Sequence, residues 1–222
     1  MEIDIKLLQK SSLFKDISEK GIREALSLTG YTVRKYGKGE ALIMHGYEAR
    51  EVGILLSGEL EAAKCDINGS RFIVAHIKPC DVFGDVLSVS SYAKSPVNVS
   101  AICSSCAVFI PTNKLYVPAF PASSERLQIL HNLTCEIANK YFALDSRLEL
   151  VLEKSLRMKI IHYLKMQLNA TKCNVVTIGF TRTALAEYLG CERTALAREL
   201  TRMQKDGIIK CDKKEITVIN KI

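Results

Sequence analysis

The sequence predicts an α+β protein with a β-rich N-terminal domain, a long helix and a C-terminal winged helix-turn-helix domain. Short β-prone segments separated by turn residues fill residues 31–111. A regular apolar repeat runs through residues 127–151, and two short helical segments joined at one glycine follow near the C-terminus. We expect the three parts to span residues 1–122, 123–152 and 153–222.

The N-terminal domain is expected to begin with helices and to continue as a sandwich or barrel of short strands. Apolar residues at helical spacing predict short amphipathic helices over residues 4–28. From Tyr31 to Pro111, turn residues recur at short intervals, which favours a sandwich or barrel over alternating strands and helices. Residues 66–69 read Asp-Ile-Asn-Gly and predict a hairpin turn, because Asn and Gly tolerate positive φ.

A long helix is predicted from about Ser124. The residues at its apolar repeat are Leu127, Leu130, Thr134, Ile137, Tyr141, Leu144, Leu148 and Val151. A spacing of about 3.5 residues keeps one stripe facing a partner helix, so we expect this helix to form the seam of a homodimer. Ile129, Leu133, Ala138 and Phe142 widen the apolar face, so the helix can also pack on the β-rich domain. The alternative is a surface helix that lies only on its own core.

Residues 181–203 have the pattern of a helix-turn-helix. Thr181 suits the N-cap of a first helix, and Gly190 suits its end. The second helix is expected over residues 191–203. The apolar residues on the inner sides of the two helices are Leu185, Ala186, Leu189, Leu196, Leu200 and Met203. Two helices joined by a tight turn that contains glycine are typical of DNA-binding proteins.

Several side chains around this motif are expected to face DNA. They are Thr181, Arg182, Arg193, Thr194, Ala197, Arg198, Arg202, Lys213 and Lys214. Arg193 and Arg198 lie near the start of the second helix, where a recognition helix meets base edges. Arginine can donate two hydrogen bonds to O6 and N7 of guanine. The two β-prone segments after residues 205–207 predict a hairpin, or wing, with Lys213 and Lys214 placed to contact phosphates.

The distribution of charge supports a nucleic-acid partner. The formal net charge is +7, and residues 153–222 hold 14 Lys and Arg against seven Asp and Glu. Residues 1–152 hold 17 of each kind and are neutral. A basic domain joined to a neutral one indicates a polyanionic partner, and the wing favours double-stranded DNA. The alternatives are a solvated basic face and a helical hairpin that contacts only protein.

Eight cysteines, at positions 65, 80, 103, 106, 135, 173, 191 and 211, raise the question of disulfides or metal. Only Cys103 and Cys106 have C-x-x-C spacing, and the four histidines are scattered, so no zinc set is complete. The N-terminus lacks the features of a secretory signal, and no apolar run is long enough to span a bilayer. We therefore expect a cytoplasmic protein with reduced thiols, no metal and no membrane contact. A cysteine-based redox or metal sensor is the alternative.

The sequence does not suggest an enzyme. It contains no Gly-rich phosphate-binding loop, no arrangement of Ser, His and Asp typical of hydrolases, and no clustered pair of carboxylates. We therefore expect no catalytic residues and no firmly assigned cofactor.

Five segments together carry a family resemblance. They are Tyr-Gly-Lys-Gly-Glu at 36–40, Leu-Leu-Ser-Gly-Glu-Leu at 55–60, Asp-Val-Phe-Gly-Asp at 81–85, the segment 190–198 and Gly-Ile-Ile at 207–209. In these segments the chain resembles the cAMP-receptor-protein/FNR (Crp/Fnr) family of bacterial transcription regulators. The resemblance implies a cyclic-nucleotide-binding-type β-roll, or jelly roll, a dimerisation helix and a winged helix. It also implies homodimers that bind pseudo-palindromic promoter DNA and contact RNA polymerase.

The departures from the family pattern concern the effector. Cyclic-nucleotide-binding members have a Gly-Glu turn followed by an Arg-Ser or Arg-Thr pair that grips the phosphate. The matching residues here are Phe83, Gly84, Asp85, Val86, Lys94 and Ser95, and they form the candidate effector pocket. Lysine offers a point charge where the family uses the planar fork of arginine. We therefore expect cAMP not to be the effector. The alternatives are another small molecule and no effector at all. Cys80 also stands where the family often has glycine.

Two further departures concern iron–sulfur binding and DNA preference. The family's oxygen sensors bind an iron–sulfur cluster through cysteines near the N-terminus, but no cysteine precedes Cys65 here. The usual glutamate after the first base-contacting arginine is Thr194. Glutamate accepts a hydrogen bond from cytosine, whereas threonine offers a hydroxyl or a methyl contact. The preferred half-site is therefore expected to differ from the best-known one of the family.

Overall fold

The computed structural model of the protein describes residues 3–65, 71–90, 94–116, 124–171, 175–177, 182–212 and 215–219. The chain forms two compact units, residues 1–140 and residues 141–222. Across these described ranges, no helix combines the length and the apolar character that crossing a membrane requires. The predicted hairpin turn at 66–69 lies outside the described residues.

Short helices open the N-terminal unit, as the sequence predicts. They are α1 (Ile5–Leu8), a 3-10 turn (Ser12–Phe14) and α2 (Glu19–Thr29). Asp4 caps α1, because its Oδ1 accepts a hydrogen bond of 3.0 Å from the backbone N–H two residues later. Ser18 caps α2 in the same way, and its Oγ accepts from the backbone N–H three residues later at 3.1 Å.

The described part of this unit contains two antiparallel sheets of four strands each. The strands are β1 (Thr32–Tyr36), β2 (Ala41–Ile43), β3 (Glu51–Ser57), β4 (Leu60–Cys65), β5 (Arg71–Ile77), β6 (Val82–Phe83), β7 (Asn98–Ala101) and β8 (Ser105–Pro111). One sheet has the order β1-β8-β3-β6 and the other has the order β2-β7-β4-β5. Buried side chains from both sheets, among them Leu55, Leu60, Val99 and Phe109, pack into one core. The predicted sandwich of short strands is confirmed.

Three helices follow within and after the sandwich: α3 (Asp85–Val89), α4 (Asn113–Tyr116) and α5 (Ser124–Leu152). Ile129 and Leu133 of α5 are buried, and they pack with Leu13, Phe14 and Ile54 in a second core. The prediction that this helix packs on the β-rich domain is confirmed for these two residues. Phe142, which was expected to widen the same apolar face, is 62% exposed.

Asn132 attaches α5 to the N-terminal segment. Its side chain is buried, and Nδ2 donates to the carbonyl oxygens of Leu13 at 3.0 Å and Lys15 at 2.8 Å. Gln128 Nε2 donates to Asn132 Oδ1 at 3.0 Å. A buried amide that lacked such partners would be strongly unfavourable, so these bonds hold α5 against the N-terminal segment.

The C-terminal unit combines helices with a small antiparallel sheet. The elements that follow α5 are α6 (Leu156–Thr171), β9 (Val175–Thr177), α7 (Arg182–Leu189), α8 (Arg193–Lys205), β10 (Ile209–Asp212) and β11 (Glu215–Val218). Strands β10 and β11 form the predicted wing hairpin, and β9 pairs with β11 to give the order β10-β11-β9. Strand β9 was not predicted, because only its long-range pairing of Val176 with Ile216 distinguishes this apolar run from a loop.

The second helix of the helix-turn-helix begins two residues later than predicted, at Arg193 instead of Cys191, and ends at Lys205. Gly190 has φ +65°, and the N–H of Cys191 donates back to the carbonyl oxygen of Ala186 at 2.9 Å. Cys191 therefore belongs to the cap that terminates α7. Glu192 is extended and precedes the first turn of α8.

Candidate DNA-binding surface and effector cavity

The inner sides of α7 and α8 form the core of the helix-turn-helix. Leu185, Ala186, Leu189, Leu196 and Leu200 are each at most 4% exposed, and Met203 is fully buried with them. The burial predicted from the apolar spacing of the two helices is confirmed. Ala186 lies in this core with the leucines of α8, and its small side chain allows the helices to approach closely.

The outer side of α8 projects into solvent. The exposed residues are Arg193, Thr194, Ala197, Arg198 and Arg202. Arg198 Nε donates to the carbonyl oxygen of Thr194 at 3.3 Å, one turn earlier in the helix. Arg182 is half-buried at the start of α7 and lines a cavity of about 270 Å³ together with Arg193. Thr181, Lys213 and Lys214 lie outside the described residues.

Arg157 of α6 anchors the opposite side of α8. Its Nε donates to Glu199 Oε1 at 2.6 Å, and its Nη2 lies 2.7 Å from Asp206 Oδ2. The hydrogen bonds that Arg157 donates to the carboxylates of Glu199 and Asp206 stabilise the charged guanidinium and raise the pKa of Arg157 above its ordinary value. The sequence did not indicate this contact, because Arg157 and Glu199 are 42 positions apart.

Hydrogen bonds attach the wing directly to α8. Gln204 Oε1 accepts a hydrogen bond of 2.9 Å from the backbone N–H of Cys211 in β10. The turn between them contains Gly207 at φ +70°, and the N–H of Ile208 donates to the carbonyl oxygen of Met203 at 3.0 Å. These bonds set the direction in which the hairpin leaves α8.

A cavity of about 440 Å³ lies in the N-terminal unit. Its volume falls within the range typical of small-molecule sites, about 300–1,000 Å³. Apolar side chains supply most of its wall, including Ile43, Ala62, Val74, Val82, Phe83 and Val99. The polar residues in the wall are Ser12, His76, Asp81, Asp85, Glu136 and Lys140. Four residues of the predicted effector pocket, Phe83, Gly84, Asp85 and Val86, line this cavity.

An ion pair joins the wall of the cavity to α5. The Asp85 side chain is 4% exposed, and its Oδ1 lies 2.8 Å from Lys140 Nζ. Lys140 Nζ also donates to the carbonyl oxygen of Val82 at 2.9 Å. Asp85 Oδ2 is buried and accepts no hydrogen bond from any residue that the structure describes. The sequence did not point to Lys140, which is 55 positions from its partner.

Lys94 and Ser95, the two residues of the candidate effector pocket that match the family's phosphate-gripping pair, are not among the residues that line the cavity. Ser95 is buried, and its Oγ donates to the carbonyl oxygen of Val97 at 2.7 Å while accepting from the Val97 N–H at 3.2 Å. Lys94 is exposed and forms an isolated β-bridge with Glu48. The Ser95 hydroxyl is therefore bonded to the backbone two residues later.

Gly84 holds the backbone at the wall of the cavity in a conformation that favours glycine. Its φ is +71°, and an added Cβ would lie 2.9 Å from the carbonyl oxygen of Glu51. We expect Gly84→Ala to lower the free energy of unfolding by about 1–3 kcal/mol, because left-handed backbone strain combines with this close contact. Urea unfolding of the full chain measures the change.

Gly39→Ala is the matched control for Gly84→Ala. Gly39 has φ +86°, but its added Cβ would meet no described atom within 4 Å. The control therefore carries only the backbone strain, about 1 kcal/mol. Equal losses of stability in the two variants would contradict the expected energetic cost of the close contact at Gly84.

The described cysteines are all free thiols. Cys103 is exposed and Cys106 is half-buried, and burial raises the pKa of the Cys191 thiol. Cys80 has φ +77°, in the left-handed region that glycine favours, and its Sγ donates to the carbonyl oxygen of Leu7 at 3.5 Å. In the part of the chain that the structure describes, no three His, Cys, Asp or Glu side chains are grouped to hold a metal ion. Cys173 lies outside the described residues.

Comparison with known proteins agrees with the two units of the fold. Residues 33–116 match the family of cyclic nucleotide-binding domains, and residues 158–221 match the family of Crp-like helix-turn-helix domains. A β-sandwich of the first kind joined to a winged helix of the second defines a DNA-binding transcription regulator. The chain belongs to the Crp/Fnr family of such regulators. Members of this family are not enzymes, as expected from the sequence.

Individual relatives resemble the chain over most of its length. The transcriptional activator protein FnrA of Stutzerimonas stutzeri is 24% identical, and the match covers 96% of this chain and 91% of that protein. A structure of CprK complexed with OCPA is similar with a TM-score of 0.66 at 14% identity, covering 90% and 89% of the two chains. The c-di-GMP-responsive global regulator CLP of Xanthomonas campestris gives a TM-score of 0.63 at 14% identity, covering 92% of this chain and all of that one.

Proposed function

We propose that the protein binds a pseudo-palindromic promoter site as a homodimer, and that a small molecule other than cAMP controls this binding. The apolar stripe on α5 carries the proposal. Leu127, Tyr141, Leu144 and Leu148 occupy repeat positions and are between 56% and 67% exposed. Large apolar side chains grouped in solvent mark a surface that another protein covers. A second copy of α5 is the partner that a repeat of about 3.5 residues fits.

The remaining repeat positions are compatible with this seam. Leu130 and Ile137 are partly buried against the core of the N-terminal unit, and Thr134 is exposed with its Oγ1 bonded to the carbonyl oxygen of Leu130 at 2.9 Å. The side chain of Val151 lies outside the described residues. We retain residues 1–122, 123–152 and 153–222 as the sensor, dimerisation and DNA-binding parts.

Two copies joined along α5 carry two recognition helices related by a two-fold axis. Such a dimer fits two inverted half-sites about one turn of DNA apart. Arg193 and Arg198 would contact base edges, and Arg202 would contact phosphates, since all three are exposed on α8. Arg182, half-buried at the start of α7, would contact a phosphate beside them. We extend to this chain the family's contact with RNA polymerase and its location in the cytoplasm.

The cavity of the N-terminal unit is the proposed effector site. Its size suits a small molecule. Lys94 and Ser95, which match the pair that grips the phosphate in cAMP-binding relatives, do not line it. Among the similar structures, one is a complex with OCPA and another is a c-di-GMP-responsive regulator. The same fold therefore accommodates more than one kind of ligand.

Selection of genomic fragments that bind the purified protein tests the proposal. We expect the recovered fragments to share an inverted repeat whose half-sites are about 10 base pairs apart. Sedimentation velocity should show a dimer, and gel shifts should show binding that weakens steeply with salt. A monomer at micromolar concentration, or recovery of fragments without a common repeat, would contradict the proposal.

A further inference from the structure

We infer that the cavity takes a small, largely apolar molecule that donates a hydrogen bond, and that Asp85 accepts this bond. The inference rests on the proposed function, because it identifies the class of ligand for the same effector site. It excludes anionic ligands, cyclic nucleotides included, as the preferred occupants.

The wall of the cavity determines the body of the ligand. Ile43, Val74, Phe83, Val97 and Val99 present hydrocarbon to a volume of about 440 Å³. Transfer of apolar surface from water into such a wall is favourable in proportion to its area. The body of the ligand should therefore be apolar and approximately the size of a substituted benzene ring with a short chain.

Asp85 determines the polar group of the ligand. The carboxylate is almost fully buried, and Lys140 Nζ occupies its Oδ1. Its Oδ2 has no hydrogen-bond partner among the described residues, which is unfavourable for a buried oxygen. The terminal torsion of an aspartate is broad, so a small rotation of the carboxylate would turn Oδ2 towards a donor in the cavity. A hydroxyl or amine on the ligand would satisfy this acceptor.

The charges around the cavity disfavour an anion. Asp85 and Glu136 both contribute to the wall, and Lys140 is already bonded to Asp85 and to the carbonyl oxygen of Val82. The remaining basic group in the described wall, His76, lies 3.7 Å from Glu59. A ligand carboxylate or phosphate would therefore face acceptors, whereas a donor would complete a hydrogen bond.

The same contacts connect the cavity to the dimer seam. Lys140 and Glu136 both belong to α5 and are one helical turn apart. Rotation of the Asp85 carboxylate towards a ligand donor would alter its contact with Lys140, and Lys140 belongs to α5. A ligand can shift the equilibrium between two dimer states only through such a difference in contacts.

Calorimetric titration of the full-length protein with four probes tests the inference. The probes are 4-phenylbutylamine, 4-phenylbutan-1-ol, 4-phenylbutyrate and cAMP. The first three each carry a phenyl ring at the end of a four-carbon chain and differ at the last carbon of that chain. We expect the amine and the alcohol to bind at least about tenfold more tightly than 4-phenylbutyrate, the effect of one hydrogen bond to a charged group. cAMP should bind more weakly than either. Equal affinity for the amine and 4-phenylbutyrate, or no binding of any probe, would overturn the inference.

Two variants assign the preference to Asp85. Asp85→Asn keeps the shape of the side chain but removes its charge, so the tenfold preference for the amine over 4-phenylbutyrate should disappear. Glu24→Gln makes the same chemical change at an exposed carboxylate of α2, and it should keep the preference. An unchanged preference in Asp85→Asn would overturn the role of this residue. If Asp85→Asn fails to fold, the comparison of the probes on the unmodified protein decides alone.

Gel shifts separate this inference from the proposed function. DNA binding without binding of any probe would overturn the ligand class and leave the DNA-binding dimer intact. Probe binding with the expected preference, but without sequence-specific DNA binding, would overturn the proposed function and leave the ligand class intact.

Discussion

Leu144→Glu should convert the protein to a monomer and abolish its specific DNA binding. Leu144 is 67% exposed in the single chain, and a dimer along α5 would bury one copy from each helix. Burial of one leucine contributes about 1.5–3 kcal/mol, so the two copies account for about 3–6 kcal/mol of dimer stability. The dissociation constant should therefore rise at least ~100-fold, since 1.4 kcal/mol corresponds to a factor of about ten. Sedimentation velocity at several concentrations measures this change.

Ala143→Glu is the matched control for the dimer seam. Ala143 is exposed and adjacent in sequence, but it does not belong to the apolar repeat. The control introduces the same charge into the same helix and should leave the protein dimeric, with unchanged DNA affinity. Leu144→Glu that remains dimeric at micromolar concentration would contradict the proposed seam.

Arg198→Ala should weaken binding to the selected promoter site and leave the dimer intact. Arg198 is exposed on α8, so its removal leaves the core of the motif unchanged. Loss of a two-donor contact to guanine reduces discrimination by about 1–3 kcal/mol, which corresponds to about 5-fold to 150-fold in affinity. Binding to unrelated DNA should fall much less, because phosphate contacts dominate it. Gel shifts with the selected site and a scrambled duplex measure both affinities.

Lys205→Ala separates the loss of a base contact from the loss of a charge. Lys205 is exposed at the C-terminal end of α8, away from the positions that meet base edges. Its removal should reduce affinity slightly and equally for the selected and the scrambled duplex. Equal losses in Arg198→Ala and Lys205→Ala on the selected site would show that Arg198 does not read a base.

Local patterns predicted the helix-turn-helix and the sandwich. The inner residues of α7 and α8 recur with helical spacing, and Gly190 adopts the left-handed conformation that its position between the helices suggested. Turn residues at short intervals similarly indicated the strands of the N-terminal unit. Both patterns are local: the spacing of apolar residues and the positions of turn residues can be read directly from short stretches of the sequence.

Contacts between distant residues escaped prediction. Three contacts are examples. The ion pair of Asp85 with Lys140 joins residues 55 positions apart, and that of Arg157 with Glu199 joins residues 42 positions apart. The hydrogen bond from Asn132 to the Leu13 carbonyl spans 119 positions. No local spacing distinguishes these polar residues from solvated neighbours, since each pair meets only after the chain has folded. The prediction that α8 begins at Cys191 was wrong for a similar reason. The N–H of Cys191 bonds back to the carbonyl oxygen of Ala186 and so belongs to the end of α7.

The residues that hold helix α8 in place differ from those that we propose to read DNA. Leu196, Leu200 and the ion pair between Arg157 and Glu199 hold one side in place, while Arg198 and its exposed neighbours contribute little to the core. We therefore expect that substitutions of the exposed residues of α8 alter the preferred DNA sequence with little loss of stability. The preference for a DNA sequence and the stability of the fold thus depend on largely separate sets of side chains in this helix.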